Sequence, residues 1–242
     1  MSNVEKILDV NVSTLNYGEL ITSIDSLIET GGQGNIIAVN PEKIMALQKD
    51  SKLKDLINSA TFTIPDGIGV ILASKLNKGS VTERVTGVDL FVKLLELADR
   101  KRYKIFLYGA KPEVVSKAVE NIKKDYPNLI VAGYRDGYVS DQNELINDIN
   151  VSGAQLMFVA LGSPKQEFWI EENKEKLNVN IFQGVGGSFD VISGTVKRAP
   201  AAFRNTGTEW LYRLLSQPSR IQRQMALPKF LLKVLSSKKT NS

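Results

Sequence analysis

The chain contains neither cysteine nor histidine. Without thiols there is no disulfide framework, no thiol nucleophile and no thiolate metal site. Without imidazole the usual general base and the usual zinc ligand are gone. Serine–histidine and cysteine–histidine catalysis are excluded, and any proton transfer falls to Asp, Glu, Lys or Tyr. No two aspartates are separated by a single residue, so the D-x-D pair that commonly holds a metal is missing, and no dedicated metal site or cofactor is expected. No stretch approaches 18 uninterrupted apolar residues, which predicts no transmembrane helix. The first residues lack a cationic segment followed by an apolar one, which argues against a signal peptide and for a cytoplasmic location.

What is present describes an ordinary globular chain. It has 242 residues, 43% of them hydrophobic and 24% charged, enough for one large or two small domains with a real core. The charge is divided unevenly. From Lys197 to Ser242 there are ten Lys or Arg and one acid, Glu209, a balance of +9; the first 196 residues carry 21 bases against 25 acids, a balance of −4. Such a basic tail suggests contact with a polyanion, either nucleic acid or an anionic membrane surface.

The sequence is organised around Gln155 to Glu167. Leu156 to Leu161 is a near-continuous apolar run, as expected of a strand buried on both faces of a parallel sheet. Gly162 and Ser163 break it. Ser163 is a good N-cap, Pro164 suits the first helical position and Gln166 has the capping-box spacing, so a strand runs directly into a helix. Elsewhere strands are expected at Lys6–Val12, Asn35–Val39, Ala60–Ile64, Lys104–Leu107, Leu129–Tyr134 and Val179–Phe182. Helical periodicity marks Tyr17–Thr30, Ser51–Ser59, Ile68–Lys75, the stretch to about Arg100, Glu113–Asp125 and Glu144–Asn150, while Asn40-Pro41 opens a further helix. This alternation predicts an α/β fold, a Rossmann-like parallel sheet flanked by helices. Past Pro200 a basic helical appendage is expected, dividing the chain into a body of residues 1–200 and a tail of residues 201–242.

Polar and glycine residues crowd the expected C-terminal ends of these strands, where α/β sheets bind ligands. Asp66 follows a strand directly and is either the cap of the next helix or a carboxylate available as a base. Gly184, Gly186 and Gly187 form either a tight turn or a loop that lets backbone amides approach a phosphate. Tyr108 and Gly109 lie at another strand end, suited to a nucleotide. Asp190 is suited to a ribose or base, or to capping a turn. Arg84, Lys197 and Arg198 are candidates for a pyrophosphate, since guanidinium groups grip phosphate oxygens with paired bonds.

These residues carry a resemblance. Asn40-Pro41-Glu42, Pro65-Asp66-Gly67, Glu83 to Leu90, Gly162 to Glu167, Gly184 to Asp190 and Gly194 to Pro200 follow one another in the order in which similar motifs occur in the WecG/TagA/CpsF family of bacterial glycosyltransferases. The resemblance covers about Asn35 to Pro200 and extends more loosely into the tail. It implies inverting, metal-independent transfer of a sugar, typically N-acetylmannosamine or its uronic acid, from a UDP donor. The implied acceptor is N-acetylglucosamine on undecaprenyl diphosphate, and the product enters a surface polymer such as wall teichoic acid. By resemblance Asp66 matches the proposed base, and Asn40, Arg84 and Gln166 match pocket positions. Asp66, Arg84 and Gln166 are thus the catalytic candidates. Asn40, Tyr108, Gly109, Gly162, Gly184, Gly186, Gly187 and Asp190 are candidates for substrate binding, joined by Arg213, Arg220 and Arg223 of the tail, which the resemblance directs to the donor pyrophosphate. Many members carry Thr where this chain has Ala38. A lipid-linked acceptor implies a peripheral place on the inner face of the cell membrane, with the tail on the inner leaflet rather than on nucleic acid; self-association into a homo-oligomer stays open. Two further readings rest on the residues alone: a Rossmann-type dehydrogenase, against which stands the missing G-x-G-x-x-G, and a non-enzymatic polyanion-binding protein.

Overall fold

The computed structural model describes residues 3–206, 208, 209, 211, 212 and 226–240. The chain opens with an antiparallel hairpin, β1 (Val4–Ile7) and β2 (Val10–Ser13). This corrects the single strand expected over Lys6–Val12. Leu8 and Asp9 take left-handed conformations, φ 48° and 64°, and make the two-residue turn, the geometry that matches the twist of paired strands. The Asn58 side chain holds the hairpin from outside, accepting from Asn11 N and donating to Asp9 O.

The body then alternates as the periodicity predicts. In order come α1 (Tyr17–Glu29), β3 (Gly34–Val39), α2 (Pro41–Leu47), α3 (Ser51–Asn58), β4 (Phe62–Pro65), α4 (Ile68–Asn77), α5 (Gly87–Lys101), β5 (Lys104–Gly109) and α6 (Pro112–Asp125). They are followed by β6 (Ile130–Arg135), α7 (Gln142–Ser152), β7 (Leu156–Ala160), α8 (Lys165–Asn173), β8 (Ile181–Gly184), α9 (Ser188–Ile192) and α10 (Ala201–Asn205). The last described helix, α11, spans Ala226–Thr240. Six strands form one sheet in the order β4-β3-β8-β7-β5-β6, and every neighbouring pair is parallel. All five residues of β7 are buried, as its unbroken apolar run requires when helices cover both faces.

On one face α1, α5, α6 and α9 close over the sheet. Phe91 of α5 meets Phe158 of β7 edge-on at 4.5 Å between ring centres, with Phe189 of α9 at 5.9 Å. The other face carries two clusters. One joins α7 and α8 to Met157, Val159 and Phe182. The other joins the hairpin, α2, α3 and α4 to Phe230 and Val234 of α11, both fully buried. The last helix of the expected appendage therefore shares the core of the body. It lies against α2 and α4 so closely that a Cβ on Gly69 would stand 2.5 Å from both Leu227 Cδ1 and Pro41 Cγ. Among the described residues no helix is long and apolar enough to cross a membrane.

The strand order sets the site. The chain leaves β3 toward β4 on one side, whereas β8 is reached from β7 on the other side. The crevice over the C-terminal ends of β3 and β8 is the topological switch point, where open α/β sheets bind their ligands.

Candidate active site

Asn40 stands at the end of β3. It caps α2, accepting from Lys43 N at 2.8 Å, with Pro41 at the first helical position, as the sequence predicts. One strand over, Asp66 follows β4, and its amide donates to Val39 O at 2.8 Å, which stitches the two strand ends together. The helix-cap alternative for Asp66 does not hold. The N-cap of α4 is Gly67, at φ +105°, and α4 has no side-chain cap bond. The Asp66 carboxylate lies instead beside the first turn of α5: a Cβ on Gly87 would stand 3.9 Å from Asp66 Oδ2 and 3.5 Å from Ala38 Cβ.

The segment before α5 is tied to the same place. Val85 N donates to Pro65 O at 3.1 Å, one residue before Asp66, and Thr86 N donates to the Tyr17 hydroxyl at 2.8 Å. Burial pushes the Tyr17 hydroxyl pKa up against the opposing Thr86 bonds, and the negative charges of Asp89 and Asp66 add to the rise. Tyr17 thus stays a neutral phenol beside the carboxylate. Arg84, held by this segment, faces Glu209 at 3.9 Å. Arg198 pairs with Asp89, which also accepts from Thr86 Oγ1 at 2.6 Å, so this candidate for pyrophosphate is engaged at the start of α5. Lys197 is exposed.

The glycine loop follows β8. Gly186 takes φ +52° with nothing within 4 Å of where a Cβ would be, and Gly162, at φ +78° after β7, faces equally open space. A substituent at either would be strained by the left-handed backbone. Gly184 differs, since a Cβ there would stand 2.5 Å from Gln166 Nε2. Its missing side chain makes room for Gln166. Gln166 in turn accepts from Gly186 N at 3.0 Å and fixes the loop. The capping box expected at Ser163 is therefore absent: α8 begins at Lys165 after Pro164, has no side-chain cap bond, and the Gln166 amide holds the glycine loop. Asp190 belongs here too, with Oδ2 3.5 Å from the Cβ position of Gly187. Gly109 is confined by the neighbouring strand, its Cβ position 2.5 Å from Ala160 O. The ring of Tyr108 is only 3% exposed and packs on Trp169 at 4.8 Å, so this residue offers main chain rather than its ring to the strand end.

Asn40, Asp66, Arg84, Gly162, Gln166, Gly184, Gly186, Gly187 and Asp190 thus gather on one edge of the sheet. Arg213, Arg220 and Arg223 lie outside the described residues. Sequence reasoning passed over Tyr17, Lys43, Glu167 and Glu209. Lys43 Nζ bonds Glu167 Oε1 at 2.7 Å, linking α2 to α8, and Glu167 is 2% exposed with Oε2 lacking a hydrogen-bond partner among the described residues. The one signal for Glu167 is its position next to Gln166; nothing local ties it to a lysine 124 positions away.

The sequence pattern that defines the glycosyl transferase WecG/TagA/CpsF family matches residues 5–242. The chain belongs to this family. The WecG/TagA/CpsF match includes α11, in line with its share of the core. The chain is also similar to two proteins named N-acetylglucosaminyldiphosphoundecaprenol N-acetyl-beta-D-mannosaminyltransferase. The one from Bacillus spizizenii is 41% identical over 207 residues, covering 86% of this chain and 80% of its own length. The one from Bacillus subtilis is 42% identical over 204 residues, covering 84% of this chain and 80% of its own. As a member of the WecG/TagA/CpsF family, this chain is a glycosyltransferase.

Proposed function

We propose that this enzyme transfers N-acetylmannosamine from a UDP-linked donor to N-acetylglucosamine on undecaprenyl diphosphate, in the assembly of a wall-teichoic-acid type of surface polymer. The observation that carries this reading is the alignment, across four-fifths of their length, with two transferases named for that sugar and that acceptor. The geometry supports it with the Asp66 carboxylate, which does not cap α4 and lies beside Gly87 at the C-terminal edge of the sheet.

In this reading Asp66 takes the proton of the acceptor hydroxyl as its oxygen bonds to the anomeric carbon. The bond from that carbon to the UDP oxygen breaks on the opposite face, and UDP leaves with the electron pair, so the anomeric centre inverts. A base so placed supplies on the order of a hundred- to ten-thousand-fold. The open space beside Gly162 and Gly186 receives the diphosphate, and Gln166 keeps Gly186 in place. Arg84, with arginines of the tail, neutralises the charge of the leaving group, a role a metal fills elsewhere. Asn40 keeps its Nδ2 for a sugar hydroxyl, since its Oδ1 caps α2. The polyprenyl tail of the acceptor places the enzyme peripherally on the inner face of the membrane.

The test is transfer itself. The full chain is given UDP-N-acetylmannosamine and a short-chain prenyl diphosphate carrying N-acetylglucosamine. Mass spectrometry is expected to show the acceptor gaining one N-acetylhexosamine, with one UDP released per transfer. Transfer from a different UDP-sugar, and none from this one, overturns the assignment of the donor.

A further inference from the structure

We infer that Glu209 is a positioning residue for Arg84, an assignment that rests on the transfer reading above. Glu209 is the single acid among ten bases from Lys197 to Ser242. In a solvated basic tail a lone carboxylate would have no reason to leave water. Glu209 is nevertheless only 8% exposed, and a charge so far withdrawn from solvent requires a partner of opposite sign.

The local fold presents it. After α10 the chain turns back on itself: Thr208 N donates to Phe203 O at 3.0 Å, and the amides of Leu211 and Tyr212 both donate to Thr208 O. The rings of Phe203 and Tyr212 meet at 5.5 Å and close the turn. Glu209 sits within it and faces Arg84, Oε2 to Nη1 at 3.9 Å, with the two side chains 10% and 18% exposed. The backbone directly after Arg84 is fixed, by Val85 on Pro65 and by Thr86 on Tyr17. Glu209 faces the far end of the long side chain, where its charge steers the guanidinium.

The chemistry suits a diphosphate site. A guanidinium carries five N–H donors in a rigid fork. A carboxylate facing the fork orients it, and a fork so oriented suits the paired bonds that grip phosphate oxygens. The arginine is then ordered before the donor arrives, which lowers the entropy cost of gripping it. Glu209 touches neither sugar nor phosphate in this account; it acts through Arg84.

A double-mutant cycle on the full chain tests this, with wild type, E209Q, R84A and the double variant. Two readouts are taken well below the melting temperature of each variant: UDP affinity by calorimetry, and kcat for transfer. E209Q is expected to weaken UDP binding and lower kcat by about tenfold in the wild-type background. In the R84A background the same change is expected to alter either by no more than about twofold, because residues that act as one unit are not additive. Equal losses in both backgrounds overturn the proposal and make Glu209 a fastener of the tail. The UDP cycle keeps the two readings apart. Coupled UDP binding without transfer would remove the assigned reaction and leave the Glu209–Arg84 unit standing. Transfer with additive effects would do the reverse.

Discussion

A carboxylate between a strand and a helix normally accepts from the first amides of the helix. At Asp66 that place is taken by Gly67, whose φ of +105° no capping aspartate would tolerate easily. The carboxylate instead lies beside Gly87, near a Tyr17 hydroxyl whose pKa burial has raised. Asp66→Asn keeps the shape and removes the base. Turnover is expected to fall by at least about a hundredfold, with UDP affinity nearly unchanged. Near-normal turnover measured in that variant would move the base elsewhere. A second expectation follows from the residues the chain lacks. With no His, no Cys and no D-x-D pair, charge on the leaving diphosphate falls to arginines. Transfer should therefore run at its usual rate in excess EDTA. A loss of rate that magnesium or manganese restores would refute the arginine account. At this scale the places of Asn40 and Asp66 were legible, because each stands directly after a strand. The long-range pairs were not. Lys43 and Glu167 are 124 positions apart, and Arg84 and Glu209 are about as remote, so only the fold brings them together.

The elements show where local rules hold and where they yield. The six sheet strands and the helices between them were readable because strand runs and helical periods alternate cleanly. The hairpin was hidden because Leu8-Asp9 lacks the Asn-Gly or Asp-Gly signature of a two-residue turn. The box at Ser163 failed for a different reason. Gln166 has one amide, and fixing the glycine loop takes precedence over capping α8. The tail gives the largest lesson. Its apolar residues fit either a helix on a membrane or a helix on the body, and periodicity alone does not choose. Phe230 and Val234 are fully buried against α2 and α4, so α11 is fastened to the body. Phe230→Ala should then lower stability by about 3–5 kcal/mol, the usual cost of emptying a buried aromatic site. Urea unfolding followed by circular dichroism measures it, and a loss below about 1 kcal/mol would mean that α11 is not docked in solution.

Across the whole molecule the charge asymmetry takes on a spatial meaning. The body carries −4 and the segment from Lys197 carries +9, yet the last helix of that segment is part of the core on one face. Removing the tail at residue 201 would uncover the apolar surface of α2 and α4, so a truncation mixes unfolding with loss of function. Outward-facing residues give a cleaner probe. On α11, Leu232 is 68% and Leu235 45% exposed, with Lys229 and Lys233 on the same helix. Leu72 and Leu76 of the adjoining α4 are exposed as well. A surface mixing leucine and lysine in this way fits an anionic leaflet, where each basic side chain contributes on the order of 1 kcal/mol. Replacing both Lys229 and Lys233 by Gln leaves the buried face of α11 intact and should cost about 2 kcal/mol, or about thirtyfold, in binding to phosphatidylglycerol vesicles. Binding to neutral phosphatidylcholine vesicles should change little, and the melting temperature should stay that of the parent. Transfer to a water-soluble short-chain acceptor should persist, whereas transfer to acceptor embedded in anionic vesicles should fall. If the double variant sediments with phosphatidylglycerol vesicles as the parent does, this face of α11 takes no part in reaching the lipid.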